Sequence, residues 1–186
     1  YANRVVKDYY AKQGIVARFF FVVDRLDLLT QSSNEFSSRG FTVTTVNSKS
    51  EFAKELDRPR SLSMDKNSIG EFCVVNIHKF GSDFPEAKND YGTKVQRIFF
   101  IDEAHRSYAI SGEFFKNLIS VDNDAVYIAL TGTPLLSKKE RSNLKFGDYI
   151  HKYFYDKSIA DGYTLRIKKE QIDTQARIEI KRNLDL

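Results

Sequence analysis

Apolar residues gather in five strand-sized runs along the chain: Arg18–Asp24, Phe41–Val46, Glu71–Ile77, Arg97–Asp102 and Ala125–Thr131. The runs are rich in β-branched and aromatic residues and show little strict alternation of apolar with polar positions. A strand with one wet face alternates, whereas a strand covered on both faces does not. Between the first two runs, Leu26, Leu29, Ser33 and Phe36 recur at helical spacing, and Gly40 stands where a helix is commonly stopped. Ser107–Ser120 carries a similar stripe of Phe114, Phe115, Leu118 and Ile119. Ahead of the first run, Tyr1–Lys12 reads as a helix with Val5, Val6, Tyr9 and Tyr10 as its apolar side, and Gly14-Ile15 introduces the strand. Asp57–Gly70, with Pro59, and Gly81–Thr93, with Pro85 and Gly92, read as surface loops. Beyond Ser137 the pattern weakens. Residues 1–165 are expected to form one domain, and residues 166–186 an exit segment leading to another.

Strands alternating with helices predict an α/β domain built on a mostly parallel sheet flanked by helices. In such sheets ligands bind beyond the carboxyl ends of the strands. The groups that end the apolar runs are Asp24-Arg25, Asn76-Ile77-His78-Lys79, Asp102-Glu103-Ala104-His105 and Thr131-Gly132-Thr133-Pro134. These four groups are where function is sought.

Composition narrows the class without naming a function. With 186 residues, 41% hydrophobic and 29% charged, the chain suits one well-cored globular domain. No apolar stretch approaches the length of a membrane span, and Tyr1–Lys7 lacks the apolar core of a secretory signal. The single cysteine, Cys73, excludes an internal disulfide and a cysteine metal cluster, and its apolar neighbours point to a buried thiol in a reducing cytoplasm. A net charge of +4 permits contact with phosphate backbones, but the basic residues are interleaved with acids rather than clustered.

The sharpest chemical feature is Ile98-Phe-Phe-Ile-Asp-Glu-Ala-His105, an apolar strand ending in two adjacent carboxylates. Hydrolysis of ATP needs such a pair: one carboxylate holds Mg²⁺, usually through water, and the other orients and deprotonates the attacking water. Asp102 suits the first role and Glu103 the second. Two acids that merely open a helix would look the same in isolation. A second motif, Ala129-Leu-Thr-Gly-Thr-Pro134, closes the next predicted strand. Alone it is an ordinary turn. Together the two motifs stand at strand ends of one predicted parallel sheet.

On these residues the chain resembles the first RecA-like domain of a superfamily 2 helicase or translocase. Asp102-Glu103-Ala104-His105 matches that family's motif II, and Thr131-Gly132-Thr133-Pro134 is similar to its motif III. Asp24-Arg25-Leu26-Asp27-Leu28-Leu29-Thr30-Gln31 resembles motif Ia of the R subunits of type I restriction enzymes. Val74-Val75-Asn76-Ile77-His78-Lys79-Phe80 looks like the next DNA-facing motif of those subunits, with Asn76 and His78 departing from the usual string. Phe146-Gly-Asp-Tyr-Ile-His-Lys-Tyr153 and Lys157-Ser-Ile-Ala-Asp-Gly-Tyr163 resemble their stretch after motif III. The resemblance implies ATP and Mg²⁺ as cofactors, and double-stranded DNA with methyltransferase and specificity subunits as partners. It implies that His105, Thr131, Gly132 and Thr133 couple nucleotide state to DNA. Arg25, Gln31, Asn76, His78 and Lys79 become DNA-facing candidates, of which Arg25 and Lys79 read equally well as solvated loop charges.

No G-x-x-x-x-G-K-[ST] string occurs in the 186 residues, so the expected domain lacks its own phosphate-binding loop, and Tyr1–Lys12 reads as the helix that follows one. The fragment alone is accordingly expected to be inactive. Two other readings remain at this point. One is a different superfamily 2 helicase or remodeller. The other is a non-catalytic module that keeps the fold and binds DNA or protein.

Overall fold

The computed structural model describes residues 2–57, 72–77, 94–104, 118–120, 122–133, 146–167, 179 and 182–183. Helix α1 (Ala2–Ala11) leads into strand β1 (Val16–Val23), followed by α2 (Leu26–Ser38), β2 (Val43–Val46) and α3 (Lys49–Asp57). Strands β3 (Phe72–Asn76), β4 (Val95–Ile101) and β5 (Val126–Ala129) complete a sheet of order β2-β3-β1-β4-β5. Every neighbouring pair is parallel. Each of the five predicted runs overlaps an observed strand. The expected α/β fold with a parallel sheet is therefore the fold that forms.

Successive strand residues point to opposite faces, and both faces are covered. On one side Ala17, Phe19, Phe72 and Ile98 pack with Val6 and Tyr10 of α1 and Phe36 of α2. On the other, Phe20, Val22, Cys73, Val75, Phe99 and Ile101 pack with Phe52 and Leu56 of α3 and with Leu118. Stacked rings tie strand to strand: Phe20 to Phe99 at 4.7 Å and Phe99 to Tyr127 at 5.2 Å on the α3 face. On the α2 face Phe36 stacks on Phe72 at 4.5 Å. Such contacts add about 0.5–1.5 kcal/mol each beyond the area they bury.

The chain leaves α1 and α2 by the same device. Gly14 (φ 71°) and Gly40 (φ 82°) adopt the left-handed conformation just past each helix. Gly40 N–H donates to Ser37 O at 2.9 Å and Phe41 N–H to Phe36 O at 3.1 Å. Gly14 N–H donates to Ala11 O and Ile15 N–H to Tyr10 O, both at 3.0 Å. This doubly bonded stop satisfies carbonyls that a helix end leaves open.

Helix α3 was not among the expected elements, yet its start is written in the sequence. Ser48 Oγ accepts from Glu51 N–H at 3.3 Å, and Glu51 Oε2 accepts from Asn47 N–H at 2.8 Å. A Ser followed three residues later by a Glu is the sequence mark of a capping box, here with Glu51 reaching the amide one residue before Ser48. Its other end is held by the sheet. Arg18 and Arg97 are direct register partners on β1 and β4, and both are buried, 3% and 4% exposed. Arg97 NH2 donates to Leu56 O at 2.6 Å and NH1 to Asp122 Oδ2 at 3.1 Å. Arg18 donates to Glu55 O and, through NH2, to Glu55 Oε2 at 2.7 Å. Two neighbouring cations thus meet two carboxylates and the negative end of a helix.

The residues from Tyr149 to Leu186 form a second compact unit. Within it, α4 (Tyr155–Ala160) is closed by Tyr153 Oη donating to Asp161 Oδ2 at 2.8 Å. Tyr155 Oη donates to Leu165 O and accepts from Ile167 N–H, both at 3.0 Å. The surface loops expected over Asp57–Gly70 and Gly81–Thr93 lie outside the described residues, Asp57 apart, and Ser107–Ser120 does so except for its helical last turn, 118–120.

Gly40→Ala is expected to cost ~1–2 kcal/mol, because a left-handed L-residue is strained although its Cβ would meet open space. Urea unfolding would show a lower midpoint with an unchanged slope. Arg97→Ala should cost more, about 3–5 kcal/mol, by stranding a buried Asp122. The double variant Arg97→Ala with Asp122→Ala should recover part of that loss in the same measurement.

Candidate functional site

Four adjacent strands, β3, β1, β4 and β5, bring their carboxyl ends to one edge. Asn76 ends β3, Asp24 follows β1, Asp102-Glu103 follows β4, and Leu130–Thr133 follows β5. Backbone bonding continues past the regular ladders and locks three of these tips together. Asp102 N–H donates to Val22 O at 3.0 Å, Leu130 N–H to Ile101 O at 2.9 Å, and Ala104 N–H to Leu130 O at 3.0 Å.

The turn after β4 has a specific shape. Glu103 takes φ 46°, and is the one non-glycine residue with positive φ among the described residues. That conformation costs roughly 1–3 kcal/mol for a side chain of this kind. The surroundings enforce it: Ile101 and Ala104, on either side of the acidic pair, are buried at 1% and 2% exposure, so Asp102 and Glu103 are lifted between two anchored residues. Both carboxylates remain partly exposed. The small Ala104 fits in the core on the α3 face, where Phe99 and Ile101 lie.

Burial pushes the Asp102 carboxyl above the usual carboxylate range. The Glu103 backbone amide opposes the shift, while the negative charges of Glu103 and Asp24 add to it. Asp102 therefore sits among acids that disfavour its own ionisation, a circumstance that a cation would relieve. Among the described residues no group of three or more His, Cys, Asp or Glu side chains could hold a metal ion. One or two carboxylates suit Mg²⁺, which keeps most of its own water and takes few protein ligands. The donor set fits that ion.

Of the motif III residues, Thr131 is half-buried and Gly132 and Thr133 are exposed. Thr133 N–H donates to Thr131 Oγ1 at 3.2 Å, folding the segment back on itself beside the β4 tip. Arg25, at the N-cap of α2, is exposed and bonded to Asp27. Gln31 lies exposed on α2. Asn76 is placed differently from a DNA-facing residue: at 1% exposure it is interior, in register with Val23, and as it stands presents nothing to a phosphate. His78, Lys79, His105 and Pro134 lie outside the described residues. Sequence reasoning noted Asp24 at a strand end but gave it no part in the acidic site. The available signal was its position, one residue beyond an apolar run, as Asp102 is.

The sign of the Asp102 shift generates a test. A carboxyl whose folded pKa is raised binds protons more tightly folded than unfolded, so its contribution to stability falls as pH rises from its ordinary value of 3.8 through the raised value. Asp102→Asn should remove that decrement. Urea unfolding across the acid-to-neutral range should show the variant gaining on the wild type as pH rises, with the difference closing at low pH.

Comparison with known proteins agrees with this geometry. A family model described as SWI2/SNF2 ATPase matches residues 2–186. A Methanocaldococcus jannaschii protein named as the type I restriction enzyme MjaIXP endonuclease subunit is 32% identical over 169 residues, covering 87% of this chain and 15% of the relative. The type I restriction enzyme SsaAORF53P endonuclease subunit of Staphylococcus saprophyticus is 29% identical over 180 residues, covering 89% of this chain and 18% of the relative. A Staphylococcus aureus subunit of the same description is 27% identical over 176 residues, with 88% and 17% covered. The chain thus spans less than a fifth of the length of these curated relatives. No solved structure matches it. A parallel sheet, a strand-tip acidic pair and a family match over nearly every residue converge, and the chain belongs to the SWI2/SNF2 ATPase family.

Proposed function

We propose that this chain is the first motor half of the DNA-translocating R subunit of a type I restriction-modification enzyme. The observation that carries the reading is the acidic pair at the β4 tip, held between Asp24 after β1 and the Thr131–Thr133 turn after β5. Membership of an ATPase family implies use of ATP. The Mg²⁺ of Mg–ATP, when bound, neutralises charge on the phosphates. Asp102 would hold that ion through water. Glu103, aimed by its left-handed backbone, orients the attacking water and takes its proton. The Thr131–Thr133 turn, bonded through Leu130 to the same β4 tip, reports the state of that tip to DNA, together with His105.

Double-stranded DNA is the substrate of the motor, and methyltransferase and specificity subunits are its partners in the whole complex. Contact with DNA is sequence-independent and runs through backbone phosphates, with Arg25, Gln31, His78 and Lys79 as candidates. Residues 166–186 lead towards a second motor domain. No helix among the described residues is long and apolar enough to cross a membrane, and the one cysteine, Cys73, is buried. The place of the parent protein in this reading is the cytoplasm. The 186 residues contain no phosphate-binding loop string, so alone they have nothing to cradle the nucleotide that Asp102 and Glu103 act on.

The deciding measurement is ATP hydrolysis by the parent protein, with and without duplex DNA, for wild type and Glu103→Gln. Duplex should stimulate turnover, and the variant should lose about 10²–10⁴-fold, the usual contribution of a general base. The isolated 186-residue chain should show no turnover. Absence of activity in the parent, or its persistence in Glu103→Gln, would move the assignment to a non-catalytic binding module.

A further inference from the structure

Arg25 sits at the carboxyl edge of the sheet, two residues beyond the buried end of β1 and immediately after Asp24. Its guanidinium meets Asp27 in two parallel bonds: Nε to Oδ1 at 3.1 Å and NH2 to Oδ2 at 2.6 Å. The two side chains are 56% and 62% exposed. An ion pair so exposed adds little to stability, ~0–1 kcal/mol. What a two-bond fork does supply is orientation, because it fixes the plane of the guanidinium. Asp27 is itself well anchored. It lies in the first turn of α2, where backbone amides and the positive end of the helix favour a carboxylate. The Arg25 guanidinium beside it, aided by the amides of Asp27 and Leu28, holds its carboxyl below the usual range.

A guanidinium carries five N–H donors, and Asp27 takes those on its Nε side. The Arg25 side chain has no other hydrogen-bond partner among the described residues. Its NH1 and NH2 end, the edge that matches a phosphate fork, is left for a ligand. A second exposed pair on the same helix makes the contrast. Arg39, past the far end of α2, directs both Nε and NH2 at the single oxygen Glu35 Oε1, a geometry that does not fix the plane in the same way.

We propose that Asp27 is a positioning residue: it grips one side of Arg25 and presents the other to a nucleic-acid phosphate. The inference rests on the DNA-translocating function proposed above. It carries a sign that separates it from simple electrostatics. Removing an acid near DNA ordinarily tightens binding by lowering repulsion. If Asp27 acts by aiming Arg25, removing its charge weakens binding instead.

The test titrates the chain against a short fluorescent duplex of arbitrary sequence over a range of salt. The variants are Arg25→Ala, Asp27→Asn, Asp27→Glu, Arg25→Ala with Asp27→Asn, and Glu35→Gln. Arg25→Ala should weaken binding and lower the salt slope by about 0.9, the value of one phosphate contact. Asp27→Asn should weaken binding ~3-fold, as expected for the loss of one surface ion pair's ordering. It should add nothing to Arg25→Ala, and Asp27→Glu should restore most of the affinity. Glu35→Gln should not weaken binding. Thermal melts of the same samples separate aim from folding, since a purely structural effect moves the melt and leaves the salt slope alone. Tighter or unchanged binding by Asp27→Asn, or an inert Arg25→Ala, overturns the positioning role and leaves the motor reading standing. No duplex binding by the wild-type chain at low salt overturns both.

Discussion

Two arginines side by side in the interior of a sheet set the terms for much of this domain. Arg18 and Arg97 are Cα partners on adjacent central strands and lie on the same face. Neighbouring strands are about 4.8 Å apart, so their like charges would repel strongly in a medium of low polarity. Glu55, Asp122 and the last carbonyls of α3 answer that charge. The pairing cannot be satisfied unless α3 ends over β1 and β4, with the segment around Asp122 folded in beside them. A requirement for charge balance at the amino ends of the strands thereby fixes where a helix lies, and how β4 enters the sheet.

That arrangement leaves the opposite edge free to be costly. Asp102 is five residues along β4 from Arg97, about 16 Å at the rise of a strand. There the same strand supports a left-handed Glu103 and a carboxyl that burial and two neighbouring acids push away from ionisation. Neither is a stabilising feature. Both are tolerated because the strand beneath is packed on both faces, with Phe99 and Ile101 almost wholly enclosed. Backbone bonds from Val22 and Leu130 hold the turn from either side. Strain and unfavourable charge at one edge are sustained by satisfied bonds and dense packing behind it.

Much of this was legible in the residues before any coordinates. The unalternating runs around Phe20, Val74 and Phe99 announced strands covered on both faces, because burial on two sides leaves no reason for polar positions to recur. Gly40 announced the end of α2, because only glycine takes that conformation without strain. The acidic pair was legible because its chemistry requires a strand tip. Other features were not visible. Arg18 and Arg97 looked like polar edges of apolar runs, since nothing local reveals that a distant Glu55 and Asp122 will meet them. Asn76 looked solvent-facing because it ends a strand, yet its own strand lies between two others and encloses it. Asp24 gained its electrostatic role only when β1 and β4 became neighbours. Helix α3 is a different case. Its capping residues Ser48 and Glu51 are visible in the sequence, but the short segment carries no long apolar stripe to mark it as a helix.

The order of strands carries a consequence for how the molecule comes into being. β1 is the central strand and is made before both of its neighbours, so Phe19 finds its partners only when Phe72 and Ile98 have been made. Pairings so far apart in the chain form slowly, because a long loop must close before any contact rewards it. Until then the run from Val16 to Val23, with three consecutive phenylalanines, is without these two neighbours. A nascent chain would carry this apolar segment unpaired until β3 and β4 have been made. Arg18 is the one charge within that run, and a charge set in an apolar strand opposes its association with other chains, so the residue that later organises the interior also stands guard over the waiting segment.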